Sequence, residues 1–392
     1  MLGWAILADS VPLYPLYALL FADSGLSGAQ ISALFAIWSA VSIVAEVPSG
    51  ALADRFGRRH ALVAAGVLQA GGYVAWTLLP TFAGFALGFV LWGLGGALVS
   101  GAQEALLYDG LAAVGAESCY ARVNGWVHAT VLLAQLPAAA AATALFAAGG
   151  YSLVGWVSVG VCLGAAALAL RLPEPAPVSD GPDDEVDLGY LATLRVGMAE
   201  AAAAPGVRAT VLAAALVGAF DTLEEYFPLI TEESGLPVAW VPLAMLPIAL
   251  VGALGAALGG HADRLRPVAL AALLGVGMAL LEVADLLDRP GGLAAVVLSY
   301  GTYRAVLVVV DARLQQRIAS RSRATVTSVS GLLVDVVSFG IYAAWALGEL
   351  PAVAAVGAVI ALLLPWLLGA GTTRPTRTLV PVEGAGSGAE PS

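Results

Sequence analysis

The chain has 392 residues, of which 60% are hydrophobic and 11% are charged, and its mean hydropathy is +0.89. A soluble domain is about half apolar and a quarter charged, so most of this chain must face lipid or other apolar helices, which excludes an ordinary soluble protein. The formal net charge of −11 arises from 28 acidic and 17 basic residues and predicts no nucleic-acid partner.

Twelve apolar runs are long enough to cross a membrane, since a spanning helix needs about 20 residues. They lie at roughly 3–22, 28–50, 60–80, 82–107, 121–147, 150–171, 207–230, 238–260, 267–287, 291–312, 325–347 and 351–371. A stretch rich in Pro and acids divides them. We therefore predict an all-α integral membrane protein with a six-helix bundle at 1–172, a cytoplasmic linker with an amphipathic helix at 173–205, a second six-helix bundle at 206–371 and a disordered tail at 372–392.

The basic residues set the predicted orientation. All 17 are Arg. With the N-terminus inside, 15 of them are cytoplasmic, one (Arg289) is outside and one (Arg304) lies within a helix. Cytoplasmic loops carry an excess of basic residues, so we expect both termini in the cytoplasm and a multi-pass protein of the cell's inner (plasma) membrane.

The two predicted bundles share sequence patterns about two hundred residues apart. Matches fall near the start of each bundle, in the loop after its second helix and at the end of its fourth helix. The matched pairs are Ala8-Asp9-Ser10 with Phe220-Asp221-Thr222, Tyr14 with Tyr226, Gly50–Arg55 with Gly259–Arg264, and Tyr108-Asp109 with Val310-Asp311. Repeats in register predict two halves related by pseudo-symmetry.

The charged stretch between the second and third helices carries a family resemblance. Residues 50–59 read GALADRFGRR, and they resemble the signature loop of the major facilitator superfamily. Residues 322–326, which open the eleventh helix, are also similar to that family. The resemblance covers the whole membrane portion. It implies the major facilitator fold, with a substrate bound between the halves near the membrane midplane, and a secondary transporter that works by alternating access.

The resemblance also implies a cytoplasmic gate. Asp54 would meet the N-terminus of the eleventh helix near Arg323, and Asp263 that of the fifth near Arg122, because a helix N-terminus attracts a carboxylate. Arg58 or Arg59 would pair with Asp109, and Arg264 or Arg266 with Asp311. Gly50 would allow close helix approach. Glu46, Arg55 and Gly57 complete the predicted gate. The alternative is that these charges only set the topology.

Charged side chains inside the predicted helices are the candidate substrate and proton site, because an intramembrane charge is costly and usually has a partner or an aqueous path. Asp221 and Glu225, four residues apart, would share one helix face with Glu224 beside them, and such crowding favours protonation. Arg304 is the predicted counter-charge; a structural ion pair or an anion site at Arg304 are alternatives. The predicted set is Asp9, Tyr14, Asp221, Glu224, Glu225, Tyr226, Arg304 and Asp335.

The leading functional hypothesis is proton-coupled efflux of a small amphipathic molecule or drug, and a cationic substrate is one option. Proton-symport uptake of a metabolite is the main alternative, and a non-transporting receptor or a membrane enzyme is the alternative of another class. We expect no catalytic residues, no metal and no cofactor apart from the proton gradient as the energy source. The expected partners are a small-molecule substrate, protons and the lipid bilayer, and the protein is expected to be a monomer. One departure from drug:proton antiporters weakens export, because Pro137 in the fifth helix follows Leu136 rather than Gly.

Overall fold

A computed structural model describes residues 1–174, 199, 204–262, 264–287, 291–318 and 323–369, except for the side chains of Val47, Ala51, Asp54, Leu132 and Ala324. The predicted linker helix, the tail from residue 372 and Asp263 lie outside these residues. Within them the chain is almost entirely helical.

Twelve helical segments in the described part of the chain cross the membrane, and we call them spans 1 to 12. Ten apolar stretches are long enough to span, but two of these, Glu117–Ala169 and Thr325–Gly369, contain 53 and 45 residues. A straight helix of that length would reach roughly 70 Å, more than twice the thickness of the hydrocarbon layer. Each stretch is broken by two non-helical residues, at Gly149–Gly150 and Gly348–Glu349, and therefore forms two spans. The spans are Leu2–Asp23, Gly28–Phe56, Arg58–Leu78, Phe82–Ala112, 120–148, 151–169, Pro205–Glu233, Val238–Gly259, Pro267–Leu286, Gly291–Arg317, 323–347 and 350–369.

Spans 1 and 7, which we predicted to be continuous helices, are both interrupted. Span 1 consists of a helix at Leu2–Asp9, a 3₁₀ turn at Tyr14–Leu16 and a helix at Tyr17–Asp23. The break contains Pro12 and Pro15, and proline both lacks an N–H and clashes with the carbonyl four residues earlier.

Span 7 changes its winding at the equivalent place. It runs as an α-helix over Pro205–Gly218, tightens to a 3₁₀ helix over Ala219–Tyr226 and resumes at Phe227–Glu233. Pro228 has no N–H to give to the carbonyl of Glu224, so the α-helical ladder cannot continue through this segment.

The signature stretch is mostly helix rather than loop. Span 2 continues to Phe56 and span 3 begins at Arg58, so Gly57 alone makes the turn. Gly57 has φ of +93°, and its added Cβ would lie 2.4 Å from a Glu174 carboxylate oxygen, so only glycine fits here. We call the membrane face at this turn the arginine-rich face, and the other one the opposite face.

The same pairs of spans pack together in each half. Spans 2 and 4 and spans 3 and 4 are in contact, as are spans 8 and 10 and spans 9 and 10. The Leu13 backbone N–H donates to Ser158 Oγ at 3.0 Å, joining spans 1 and 6. Correspondingly, an added Cβ on Gly357 of span 12 would lie 2.9 Å from the Phe220 ring of span 7. The predicted two pseudo-symmetric six-helix bundles are therefore confirmed.

Candidate functional site

An ion pair joins spans 7 and 10 in the interior of the C-terminal half. Arg304 Nη1 donates to Asp221 Oδ1 at 2.9 Å, and the Tyr303 hydroxyl donates to the same oxygen at 3.0 Å. The side chains of Asp221 and Arg304 are 45% and 31% exposed, so the pair borders open space rather than closed core. Arg304 is thus the counter-charge of Asp221, as the sequence predicted.

The second acid of span 7 faces the same neighbour. The Tyr300 hydroxyl donates to Glu224 Oε1, and the Arg304 guanidinium lies 5.8 Å from the centre of the Tyr300 ring. Residues three apart eclipse in a 3₁₀ helix, so Asp221 and Glu224 share the face towards span 10. We predicted that Asp221 and Glu225 share one face, which is wrong because that spacing holds for α-helical winding and this segment is a 3₁₀ helix.

Glu225 turns away from this network. It lies close enough to Tyr14 of span 1 and Tyr342 of span 11 to interact with both electrostatically. Among the described residues, no Arg or His forms an ion pair with Glu225, whereas Asp221 has Arg304. Glu225 is therefore an intramembrane carboxyl group within electrostatic range of one tyrosine from each half.

The two equivalent tyrosines have different surroundings. Tyr14 is 45% exposed, as expected of a residue that lines a cavity. Tyr226 is fully buried: it shares a 2.8 Å hydrogen bond with Ser32 and stacks on Trp345 with ring centres 4.0 Å apart. The prediction that Tyr226 lines the cavity is thus wrong, because its ring fills the junction between the halves.

Asp9 and Asp335 lie apart from the Asp221–Arg304 pair. Asp9 is exposed at the end of the first helix and interacts electrostatically with His128. Asp335 is exposed on span 11 and interacts with Glu46 on span 2. Glu46 and Asp335, one from each half, therefore lie within electrostatic range of each other.

The gate residues of the N-terminal half form a connected set. Arg58 pairs with Asp109, as predicted. Arg59 instead contacts Glu174, whose carboxylate lies 3.4 Å from Arg59 Nε and accepts from the Arg59 backbone N–H at 3.2 Å. We did not predict a role for Glu174, which falls within the predicted solvated linker. Its carboxylate caps the start of span 3.

The corresponding set in the C-terminal half is different. Among the described residues, neither Arg264 nor Arg266 forms an ion pair with Asp311, contrary to the prediction. Asp311 instead lies within electrostatic reach of Asp221 and Arg304. Arg313 donates to the backbone carbonyl of Leu265 and ties the turn after span 8 to span 10. The degenerate second loop has no Gly-Arg like Gly57-Arg58, which fits this altered connection.

Other predicted gate residues are placed as follows. An added Cβ on Gly50 would meet nothing within 4 Å, so Gly50 does not itself provide close approach; Gly101 does, since its added Cβ would lie 3.4 Å from Gly50 Cα. Arg55 lies 5.5 Å from the centre of the Phe56 ring. Arg122 and Arg323 are exposed. The proposed partners of these two, the Asp263 and Asp54 side chains, lie outside the described residues.

The two halves are joined towards the opposite face. Ser39 shares a 3.1 Å hydrogen bond with Tyr342, and an added Cβ on Gly28 would lie 3.4 Å from a carboxylate oxygen of Glu349. Both contacts connect span 2 with the helical pair of spans 11 and 12. Towards the arginine-rich face, the facing acids of spans 2 and 11 are exposed.

A family comparison agrees with this architecture. The sequence model of the Major Facilitator Superfamily matches residues 1–341, most of the chain. The chain belongs to this superfamily. It is accordingly a multi-pass membrane transporter, not an enzyme. Comparison with curated protein sequences finds no significant match.

Solved transporter structures share its fold across nearly the full length. A D-xylose–proton symporter is 16% identical with a TM-score of 0.63, covering 93% of this chain and 94% of that one. A bacterial homologue of the human lysosomal transporter Spinster, in an inward-facing and occupied conformation, is 18% identical with a TM-score of 0.67 and coverages of 94% and 90%. The nucleoside transporter NupG is 12% identical with a TM-score of 0.70 and coverages of 94% and 96%. At these identities the likeness shows the fold alone.

Proposed function

We propose that this transporter exchanges protons for a small amphipathic cation and thereby exports it, by alternating access between the two membrane faces. The observation that carries the proposal is Glu225, a carboxyl group held between the halves without a cationic partner among the described residues. A carboxylate in a low-dielectric site is stabilised by binding a proton or a cation.

The three acids of span 7 then have separate roles. Arg304 compensates Asp221, and Tyr300 donates to Glu224, so both acids have partners in the resting protein. Glu225 forms no ion pair among the described residues and interacts electrostatically with Tyr14, Tyr342 and the neighbouring Tyr226. Of the three acids in our sequence-based hypothesis, Glu225 is the one we assign to proton exchange.

Competition at one carboxyl group determines the direction. If proton and cation occupy Glu225 in turn, each departs as the other arrives, and the two species move in opposite directions. A proton gradient directed into the cell then drives the cation out. Symport uptake requires that proton and substrate bind together, with the substrate at a second place such as the Asp221–Arg304 pair.

Proton movement in proteoliposomes tests this function. The purified protein is reconstituted with an internal pH-sensitive dye, an imposed proton gradient and a panel of organic cations, sugars and nucleosides. We expect a cation to dissipate the gradient with wild type and not with Glu225→Gln. Glu117→Gln, at an exposed acid in the connection between spans 4 and 5, is the matched control and should behave as wild type.

Three results would overturn the proposal. Full cation-driven proton movement in Glu225→Gln would remove Glu225 from coupling. Proton movement in the same direction as the substrate would establish symport. Binding without movement of either species across the bilayer would instead support the receptor alternative.

A further inference from the structure

We propose that the stacked aromatic rings of Tyr14 and Trp92, together with Glu225, form a subsite for a monovalent organic cation with bulky apolar substituents, such as a quaternary ammonium or phosphonium. This inference rests on the proposed function and adds the chemical class of the substrate. No neutral or anionic molecule of the same shape should bind there with comparable affinity.

The rings form a continuous wall contributed by three spans. Tyr14 of span 1 stacks on Trp92 of span 4, with ring centres 6.2 Å apart and planes inclined by 30°. Trp92 in turn contacts Trp38 of span 2 at 5.5 Å. Tyr14 is 45% exposed and both tryptophans are partly buried, so part of the aromatic surface of the wall remains accessible. The face of an aromatic ring attracts a cation, and tryptophan does so most strongly.

The wall is held in place by buried aromatic packing behind it. Tyr14 meets Tyr17 edge to face at 5.7 Å, and Tyr17 is buried against Phe35, Trp76 and Phe89. Rings fixed in this way do not need to be ordered when a ligand arrives, which lowers the entropic cost of binding.

Glu225 is linked to this wall through the junction between the halves. Tyr226, the next residue, is anchored on span 2 by Ser32 and by Phe35, whose ring centre is 5.1 Å away. Phe35 also contacts Tyr17, one turn from Tyr14. The acid and the exposed ring are therefore tied to the same packed cluster from two sides, and they are close enough to interact electrostatically.

The charges around the site favour cations over anions. Span 7 carries three carboxyl groups and span 10 offers one guanidinium, that of Arg304, which is already paired with Asp221. An anion would therefore meet two further acids and the negative faces of the rings. A neutral molecule would gain apolar contact but no charge attraction.

Equilibrium binding of two ions of nearly identical shape tests the charge class. Purified protein is titrated with tetraphenylphosphonium and, separately, with tetraphenylborate, and quenching of tryptophan fluorescence is followed without any proton gradient. We expect the phosphonium to bind at least about tenfold more tightly than the borate. Equal or reversed affinity would overturn the inference, and this comparison needs no variant.

Ring-deleting variants test the location. Tyr14→Leu and Trp92→Leu should each weaken phosphonium binding roughly tenfold, whereas Tyr14→Phe, which keeps the ring, should stay within about threefold of wild type. Trp366→Leu removes a tryptophan that is 73% exposed on span 12 and controls for lost fluorescence. Wild-type affinity in both ring-deleting variants would place the cation elsewhere and overturn the subsite.

The two proposals fail separately. Selective phosphonium binding without proton movement would contradict the proposed exchange and keep the subsite. Proton movement driven by a sugar or nucleoside, with equal binding of the two ions, would keep proton coupling and overturn the cationic substrate class.

Discussion

At the residue scale, the interior acids of span 7 differ in what surrounds them rather than in their chemistry. Asp221 accepts from Arg304 and Tyr303, while Glu225 forms no ion pair among the described side chains. A neighbouring cation compensates the charge of a carboxylate, whereas a carboxylate without one is costly in a low-dielectric site. Asp221, which belongs to an ion pair, and Glu225, which we assign to proton exchange, are thus only four residues apart in the sequence.

The Asp221–Arg304 pair should contribute to stability and not to proton exchange itself. Asp221→Asn leaves Arg304 uncompensated and should lower the free energy of unfolding by about 1 kcal/mol, a modest cost because both side chains are partly exposed. The double variant Asp221→Asn with Arg304→Gln removes both charges and should recover part of this loss. Thermal unfolding in detergent compares Asp221→Asn, Arg304→Gln and the double variant. If the stability loss of the double variant equals the sum of the two single losses, the two side chains do not stabilise each other.

At the element scale, small residues fix where span 10 lies. Gly252, Gly255 and Gly259 line one face of span 8, and span 10 packs directly on them. An added Cβ on Gly255 would lie 2.0 Å from the backbone oxygen of Gly301, so the two helices touch through their backbones. This contact determines how far Tyr300 and Arg304 reach towards span 7.

Replacing the central glycine should therefore disturb both packing and site. Gly255→Ala forces the helices apart and should cost about 2 kcal/mol, since backbone cannot move aside as a flexible side chain can. We expect a lower thermal midpoint and weaker proton movement. Gly275→Ala on span 9 is the matched control, because its added Cβ meets nothing within 4 Å and alanine suits a helix. Equal thermal midpoints and equal proton movement in the two variants would show that the backbone contact between spans 8 and 10 is not required.

At the scale of the whole molecule, the two halves are joined on one side of the membrane midplane. The turn between spans 11 and 12 places Glu349, with φ of +50°, against Gly28 at the start of span 2. The Tyr226 ring and the Ser39–Tyr342 hydrogen bond extend this junction inwards. Alternating access requires that the junction opens when the arginine-rich face closes.

A cross-link across the junction should therefore arrest transport. With Cys119 and Cys162 replaced, Gly28→Cys and Glu349→Cys are joined by a short bifunctional methanethiosulfonate, and substrate-driven proton movement is recorded before and after reduction. We expect movement to stop on cross-linking and to return on reduction.

A cross-link inside one half is the control. Tyr151 donates to Asp23 Oδ2 at 2.6 Å, and both residues lie near the opposite face within the N-terminal half. Joining Asp23→Cys to Tyr151→Cys with the same reagent should leave transport intact, because a rigid half moves as one body. Continued transport after Gly28→Cys and Glu349→Cys are cross-linked would show that the junction does not open.

Much of the fold could be predicted from the sequence because a membrane imposes strong rules. A span must be about 20 apolar residues long, and internal repeats at three places indicate two related halves. The predicted helix ends were wrong mainly at the arginine-rich face, where span 2 continues to Phe56. Solvated charges end the hydrophobic pattern before they end the helix, so hydropathy marks the membrane boundary and not the last helical residue.

The membrane architecture, the superfamily and the set of interior charges follow from the amino-acid sequence, since each depends on composition or on residues adjacent in the chain. How those charges are distributed depends instead on the three-dimensional packing. The 3₁₀ winding of span 7 turns Glu224 rather than Glu225 to the side of Asp221, and packing between the halves buries Tyr226 while its counterpart Tyr14 stays exposed. Pairing depends on helix phase and on contacts between residues far apart in sequence, and neither can be read from an apolar run of residues.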